Sequence, residues 1–130
     1  MGRRLLVVDD ESDIRLSLGL ALRLAGHEVL EADDGATAVQ LVVEEEPEAM
    51  LLDLRLPDLD GWEVLARLQR LGRFPALPVV VGSADADPAA RRRALELGCA
   101  GYLVKPFEPA DLLAVLSPAQ PAGRRRPPGQ

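Results

Sequence analysis

The sequence predicts an open α/β sandwich in which five helices cover both faces of a doubly wound, five-stranded parallel sheet. Two observations predict this fold. Five short apolar runs alternate with segments of helical periodicity, which is the pattern of βαβ units. The first run, residues 5–8, is apolar throughout, as is typical of a strand that is buried on both faces. Because ligands of such sheets bind at the carboxyl ends of the strands, we expect the functional residues there.

The first βα unit begins with a predicted strand over residues 5–8. The helix after it has Ser12 as a candidate cap and Gly26 as a stop. One apolar stripe of this helix comprises Ile14, Leu18, Ala21, Leu22 and Ala25. A second stripe comprises Leu16, Leu20 and Leu24. We interpret the second stripe as a wider buried face, in preference to a partner-binding surface.

The next two strands are predicted over residues 29–32 and 50–52, and Asp53 directly follows the second of them. Between these strands, Asp34 and Gly35 open a helix. The alternation of strand and helix therefore continues through the middle of the chain.

A third helix carries Val64, Leu65 and Leu68 and leads to a fourth strand over residues 78–81. Pro88 marks the start of a fourth helix, because proline is well tolerated in the first helical turn. That helix is predicted to run to residue 97, with Gly98 as its C-cap.

The fifth strand is predicted over residues 101–104, and the last helix begins at Glu108 or Pro109. Residues 1–117 then form one domain, which suits a chain of 130 residues with 48% hydrophobic content. From 118 to 130 the composition turns to Pro, Gly, Ala and Arg, too poor in core-forming residues to pack. We therefore expect a disordered tail or linker stub there.

The charge and the cysteine content limit the function classes. The chain has a formal net charge of −6, and the only charged residues after Ser117 are three arginines, so the predicted domain is strongly acidic. Direct binding of nucleic acid by this domain is not expected. The single Cys99 suits a reducing compartment, and the first apolar run is too short for a signal peptide or a membrane span. We expect a cytoplasmic protein without a membrane contact.

Three carboxylates are predicted to meet at one edge of the sheet. Asp9 and Asp10 follow the first strand, and Asp53 follows the third. Two unit charges about 4 Å apart repel by roughly 4 kcal/mol at an effective dielectric of 20, so such a cluster needs a cation. Oxygen ligands without His or Cys suit Mg²⁺ rather than zinc. Helix capping could occupy one of the aspartates but hardly all three.

Lys105 and Ser83 follow the fifth and fourth strands and are predicted to reach the same edge. A carboxylate nucleophile beside Mg²⁺, an ammonium group and a hydroxyl group is what phosphoryl transfer requires, because catalysis is mostly positioning and charge neutralisation. Asp53 needs no general base, since a carboxylate is already ionised at neutral pH.

Four segments, taken in this order and spacing, resemble the receiver domain of two-component response regulators. They are LVVDDE at 6–11, LLDLRLPDLDG at 51–61, SA at 83–84 and GYLVKPF at 101–107. The resemblance covers residues 4–116 and implies a flavodoxin-like fold. It also implies that the chain is a signalling switch, not an enzyme, apart from assisting its own phosphorylation and dephosphorylation.

The resemblance implies a role for each matching residue. Asp53 would be the phospho-acceptor and a metal ligand, and Asp10 the direct Mg²⁺ ligand. Asp9 would act on the metal through water, and the backbone carbonyl of Arg55 would complete the shell. Lys105 would pair with a phosphoryl oxygen. The switch residues would be Ser83 and Tyr102, whose ring turns inward as the hydroxyl moves toward the phosphoryl group.

The resemblance also implies partners. The donor would be a phosphohistidine on a sensor histidine kinase or phosphotransfer protein, with small phosphodonors as substitutes. An output domain or partner protein would contact the face formed by the fourth helix, fifth strand and fifth helix. A homodimer through that face is a further alternative, suggested by three arginines of the fourth helix, Arg91, Arg92 and Arg93. Such residues more often form a solvated helical surface.

Two departures from the family pattern concern the fourth strand. Gly82 stands where receivers usually carry a bulky aliphatic residue, so we expect lost packing and a looser inactive state at the switch. Ser83 replaces the commoner threonine, which keeps the hydroxyl group and loses a methyl group.

Positions beside the key residues are expected to modulate the site. Arg55 and Asp85 each lie two residues beyond a key residue, and Ala84 follows the switch hydroxyl. We expect Arg55 and Asp85 to pair above the phosphoryl group, to hinder the attacking water and to lengthen the phosphorylated lifetime.

Two other functions would use part of the same residue pattern. A phosphatase with an aspartyl nucleophile, resembling haloacid dehalogenases, usually needs a second Asp two residues on, and that position holds Arg55. An interaction module that is not phosphorylated would normally have lost an acidic residue or the lysine. This chain retains them all.

Overall fold

The fold places five strand ends along one edge. The computed structural model describes residues 2–116, and the tail predicted over 118–130 lies outside them. The strands are β1 (Arg4–Val8), β2 (Glu28–Ala32), β3 (Ala49–Leu52), β4 (Val79–Ser83) and β5 (Gly101–Val104). The helices are α1 (Ser12–Leu24), α2 (Gly35–Glu45), α3 (Gly61–Arg70), α4 (Pro88–Leu97) and α5 (Pro109–Leu116).

All strand pairs are parallel, in the order β2-β1-β3-β4-β5. The predicted five-stranded α/β sandwich is therefore confirmed. The chain starts near the middle of the sheet and winds outward in both directions, so the ends of β1 and β3 are direct neighbours.

The three inner strands, β1, β3 and β4, are buried on both faces, as the continuous apolar run of residues 5–8 predicts for β1. Leu6 and Val8 pack in the cluster beneath α2, α3 and α4, whereas Leu5 and Val7 pack in the cluster beneath α1 and α5. Alternate residues of one strand thus serve opposite layers, because successive side chains of a strand point to opposite faces.

The start and the outer face of α1 differ from the prediction. Glu11 is the N-cap and Ser12 is already helical, with no side-chain cap hydrogen bond, whereas the expected stop at Gly26 has a positive φ of 98°. The side chains of the second stripe, Leu16, Leu20 and Leu24, are 55%, 58% and 80% exposed. Their interpretation as a wider buried face is wrong, because they lie about 200° around the helix from the buried Leu18 and Leu22.

The other helix boundaries follow local signals. The side chains of Asp34, Asp60 and Asp87 accept hydrogen bonds from backbone N–H groups in the first turns of α2, α3 and α4. Gly98 ends α4 in the left-handed region, as predicted. No helix within residues 2–116 is long and apolar enough to cross a membrane.

Strand β4 runs one residue later at its start and two residues later at its end than predicted. It therefore includes Gly82 and Ser83, which pair in register with Leu103 and Val104 of β5. This extension places the backbone of Ser83, one of the two predicted switch residues, within the sheet.

Candidate functional site

Three aspartates meet where β1 and β3 end. Asp9 and Asp53 directly follow these neighbouring strands, and the Asp53 N–H donates to the Val8 carbonyl at 3.0 Å. Asp9 and Asp53 are buried, whereas Asp10 is exposed. One carboxylate oxygen from each aspartate lies within 4.8 Å of the other two. The predicted acidic cluster is present.

Lys105 lies at the centre of this cluster. Its Nζ donates to Asp9 Oδ2 at 2.8 Å and to Asp53 Oδ2 at 2.9 Å. It also reaches Glu11 Oε1 at 3.2 Å. Sequence reasoning gave no role to Glu11, although its place beside Asp10 in the same acidic run was the available signal. The ammonium group therefore bridges three carboxylates from two loops.

Burial and ion pairing have opposite effects on the pKa values of this cluster. Burial raises the pKa of Asp9, and the hydrogen bond from Lys105 only partly offsets it. Burial alone would lower the pKa of Lys105, but hydrogen bonds to Asp9 and Asp53 outweigh it, so the pKa is raised. The lysine consequently keeps its charge at all physiological pH values.

The donor set fits a hard divalent cation. Asp9 Oδ1 accepts from the Glu11 N–H at 2.9 Å, and Asp53 Oδ1 accepts from the Arg55 N–H at 3.0 Å. The Asp10 carboxylate accepts no hydrogen bond from residues 2–116, so local capping does not account for all three aspartates. The cluster offers only carboxylate oxygens and no His or Cys, which suits Mg²⁺.

The predicted switch residues lie in β4 and β5, with Ser83 as the last residue of β4 and Tyr102 as the second residue of β5. Ser83 is 1% exposed, and its Oγ accepts from the Asp85 N–H at 3.0 Å. Tyr102 is 4% exposed, and its hydroxyl group donates to the Asp85 carbonyl at 2.7 Å. The ring therefore already lies inward, while the Ser83 hydroxyl is engaged with the backbone of the loop after β4.

Gly82 is closely packed, contrary to the expected loss of packing. A Cβ at this buried position would lie 3.0 and 3.2 Å from two ring atoms of Phe107 and 3.1 Å from Leu51 Cδ1. The aromatic ring thus takes the room that an aliphatic side chain at position 82 would fill. Ala84 is exposed and lines a cavity of about 700 Å³ together with Lys105 and Phe107.

Arg55 and Asp85 are both exposed and do not pair. Neither forms an ion pair of 4.0 Å or less with any residue from 2 to 116. Asp85 Oδ1 instead accepts from the Asp87 N–H at 2.8 Å, which turns the carboxylate toward the start of α4. The two side chains are therefore apart in this structure, and their pairing above a phosphoryl group stays a prediction.

The arginines of α4 are not simply solvated. The Arg93 guanidinium carbon lies 4.1 Å from the ring centre of Trp62 in α3, a cation–π contact. Arg91 Nη1 approaches the Tyr102 carbonyl at 3.4 Å. Two of the three arginines thus hold α4 against its neighbours.

Comparison with known proteins agrees with this geometry. The family description "Response regulator receiver domain" matches residues 5–117. The chain is 45% identical over 111 residues to the transcriptional regulatory protein PrrA of Mycobacterium tuberculosis, covering 85% of this chain and 47% of PrrA. It is 36% identical over 116 residues to the phosphate regulon transcriptional regulatory protein PhoB of Pseudomonas aeruginosa, covering 89% and 51%.

Solved structures of receiver domains superpose closely. A Francisella response regulator receiver domain has a TM-score of 0.82 and 27% identity, covering 88% of this chain and 94% of that one. A CheY-like receiver domain protein from Methanospirillum hungatei has a TM-score of 0.80 and 28% identity, covering 89% and 91%. The fold is flavodoxin-like, and the chain belongs to the receiver domain family of two-component response regulators.

Proposed function

We propose that this domain accepts a phosphoryl group on Asp53 in a Mg²⁺-dependent reaction and thereby switches an output face. The observation that carries the proposal is the shared lysine: Lys105 Nζ bonds both Asp53 Oδ2 and Asp9 Oδ2, with the Asp10 carboxylate within 4.8 Å. The acceptor, its counter-charge and a cation-binding donor set occupy one strand edge.

The chemistry follows from these groups. A carboxylate oxygen of Asp53 attacks the phosphorus of a phosphohistidine, the phosphorus–nitrogen bond breaks, and an acyl phosphate forms. Lys105, already bonded to Asp53, pairs with a phosphoryl oxygen. Asp10, Asp53 and the Arg55 carbonyl would hold Mg²⁺, with Asp9 acting through water. The bound cation would neutralise phosphoryl oxygens and the carboxylates.

Phosphorylation would then reach the output face through Asp85. A phosphoryl group adds about −1.5 to −2 charges, which attract the Ser83 hydroxyl. That hydroxyl accepts from the Asp85 N–H, and the Asp85 carbonyl accepts from the Tyr102 hydroxyl, so a movement of Ser83 toward the phosphoryl group would be transmitted to Asp85 and Tyr102. The loop, α4, β5 and α5 would shift together, and a partner that binds the shifted form better would read the change.

The partners are proposed on the same basis. A sensor histidine kinase or phosphotransfer protein would supply the phosphoryl group in the cytoplasm, and the domain would act as a switch rather than as an enzyme. The chain spans about half the length of the curated relatives it matches. Since those relatives are named transcriptional regulators, we propose that an output domain or partner protein, not this acidic domain, contacts nucleic acid.

Arg55 and Asp85 are proposed to set the phosphorylated lifetime. They flank the site without pairing, so pairing would have to form above the phosphoryl group. We expect Arg55→Ala and Asp85→Ala each to speed the loss of the phosphoryl group, measured as decay of the phosphorylated mass. Unchanged decay in both variants would remove this role.

The test of the proposed function is intact mass after incubation with Mg²⁺ and acetyl phosphate or phosphoramidate. We expect one added phosphoryl group in the wild type, none in Asp53→Asn and none when a chelator replaces Mg²⁺. Absence of an adduct with either donor would support the alternative of an interaction module that is not phosphorylated.

A further inference from the structure

Arg15 of α1 contacts the backbone of the acidic cluster. Its Nη1 donates to the Asp9 carbonyl at 2.8 Å, and its Nε donates to Glu31 Oε1 of β2 at 3.2 Å. The Asp9 carbonyl belongs to the planar peptide unit that also contains the nitrogen and Cα of Asp10. A bond to that oxygen therefore restricts the orientation of both aspartates.

Glu31 holds the Arg15 guanidinium in place and is itself bound by a second arginine of α1. Glu31 uses its second oxygen, Oε2, to accept from Arg23 Nη2 at 3.0 Å. Arg23 also donates to the Val29 carbonyl at 3.1 Å. Each oxygen of Glu31 thus binds one arginine of α1, and only Arg15 extends the chain of contacts to the acidic cluster.

Gly19 leaves space for this arrangement. It lies buried on α1 between the two arginines, and a Cβ there would lie 3.1 Å from Glu31 Oε2 and 3.3 Å from Arg23 Nη1. The helix therefore leaves room for a partly buried carboxylate between it and β2. The side chains of Arg15 and Glu31 are only 16% and 19% exposed.

We propose that Arg15 is a positioning residue for the metal site, which holds the Asp9–Asp10 peptide so that Asp10 is aligned with Asp9 and Asp53 before a cation binds. This inference rests on the proposed magnesium site. Asp10 needs such a support, because its carboxylate accepts no hydrogen bond from residues 2–116 and its own backbone lies in an exposed loop.

A positioning role and a purely electrostatic role of Arg15 predict opposite changes in Mg²⁺ affinity when the side chain is removed. Arg15 places a positive charge beside a cation site, so a purely electrostatic role predicts that Arg15→Ala tightens Mg²⁺ binding. Positioning predicts weaker binding, by about tenfold, as is typical when a residue that orients metal ligands is lost. Arg15→Lys keeps the charge but cannot fork to both acceptors, so positioning predicts weakening there too.

The experiment is a Mg²⁺ titration followed by the backbone amide shifts of residues 9–11 in nuclear magnetic resonance spectra. Arg23→Ala is the matched control, because it removes an arginine from Glu31 without touching Asp9. We expect weaker binding in Arg15→Ala and Arg15→Lys and less than a twofold change in Arg23→Ala. Glu31→Gln, which keeps an acceptor for Arg15 Nε, should lie between them.

A second measurement needs no metal. In metal-free protein, the Asp10 and Glu11 amides should become more mobile in Arg15→Ala but not in Arg23→Ala. Unchanged or tighter Mg²⁺ binding in Arg15→Ala, with unchanged amide mobility, would overturn the inference. If the wild type itself bound no Mg²⁺, the proposed function would fail instead, so the two failures are distinguishable.

Discussion

The proposed metal side of the site comprises the ends of β1 and β3 and the loops after them, with Lys105, and its contacts are between charged groups. The proposed switch side comprises β4, the loop after it, β5 and Phe107, and its contacts are between neutral groups. On the metal side Lys105 bridges Asp9, Glu11 and Asp53. On the switch side the Asp85 backbone holds a serine hydroxyl and a tyrosine hydroxyl.

The difference matches what the proposed function requires of each side. Neutral hydrogen bonds contribute only about 1 kcal/mol each, so they can be exchanged when the charge at Asp53 changes. Partly buried ion pairs are costly to break, because the remaining charge is left uncompensated. In the proposed function, the metal side would therefore keep most of its contacts while the switch side rearranges, and the following variants test that contrast.

The largest effect is expected at Lys105. In a chelating buffer, Lys105→Ala should lower the free energy of unfolding by about 3 kcal/mol, because Asp9 and Asp53 lose their counter-charge while nearly buried. Ser83→Ala is the control from the switch side and should cost about 1 kcal/mol. Urea unfolding measures both, and equal losses would contradict the contrast.

The second-largest effect is expected for Gly82→Val. It should lower the free energy of unfolding by about 2 kcal/mol, because the added side chain overpacks against Phe107 and Leu51. A companion change, Phe107→Leu, removes the ring, so the double variant should be more stable than the sum of the single losses predicts. Additive losses of stability would show that the Phe107 ring does not limit the size of the side chain at position 82. Relaxation measurements on the same variants test the mobility of Ser83, and equal mobility would remove the idea of a looser switch.

A smaller effect is expected for Tyr102→Phe. It removes only the hydrogen bond to the Asp85 carbonyl and should cost about 1 kcal/mol in urea unfolding. Tyr102→Leu should cost more, because the buried ring then loses its packing. If the urea midpoint of Tyr102→Phe equals that of the wild type, the tyrosine hydroxyl does not stabilise the switch side.

The smallest effect concerns Asp58, in the loop after β3. Hydrogen bonds from the Gly35 and Ala36 N–H groups lower the pKa of Asp58. Its ionised form therefore contributes stability above the unfolded pKa of about 3.9, which is lost as the pH falls through the folded value. Asp58→Asn should be less stable than wild type at pH 7, with a difference that shrinks near pH 3.

Thermal unfolding at both pH values measures this difference. Asp33→Asn serves as the control, since that exposed carboxylate accepts no hydrogen bond from residues 2–116 and should change little at either pH. A constant difference between Asp58→Asn and wild type from pH 7 to pH 3 would contradict the assigned hydrogen bonds.

The metal side could be predicted from the sequence because strand periodicity and strand ends determine it. A parallel sheet brings Asp9 and Asp53 to one edge whatever the side chains around them do, and Lys105 follows from the same rule. The contact of Glu11 with Lys105 could not be predicted, because it depends on the path of a loop, which periodicity does not describe.

The switch side and the face of α1 were harder to predict, because contacts distant in sequence decide them. Nothing near Gly82 in the sequence indicates that Phe107 fills the space above it. Likewise, Leu16, Leu20 and Leu24 have helical spacing, but Leu18 and Leu22 already occupy the buried side. Periodicity identifies an apolar stripe without telling which stripe the sheet covers.

The proposed function depends most on Asp53 being the residue that carries the phosphoryl group. Borohydride reduction of the phosphorylated protein converts an acyl phosphate to an alcohol, so peptide mass spectrometry can locate the modified residue. We predict conversion of Asp53 alone, dependent on Mg²⁺ and on the phosphodonor. Conversion at Asp9, Asp10 or any other carboxylate, with Asp53 unmodified, would contradict the account.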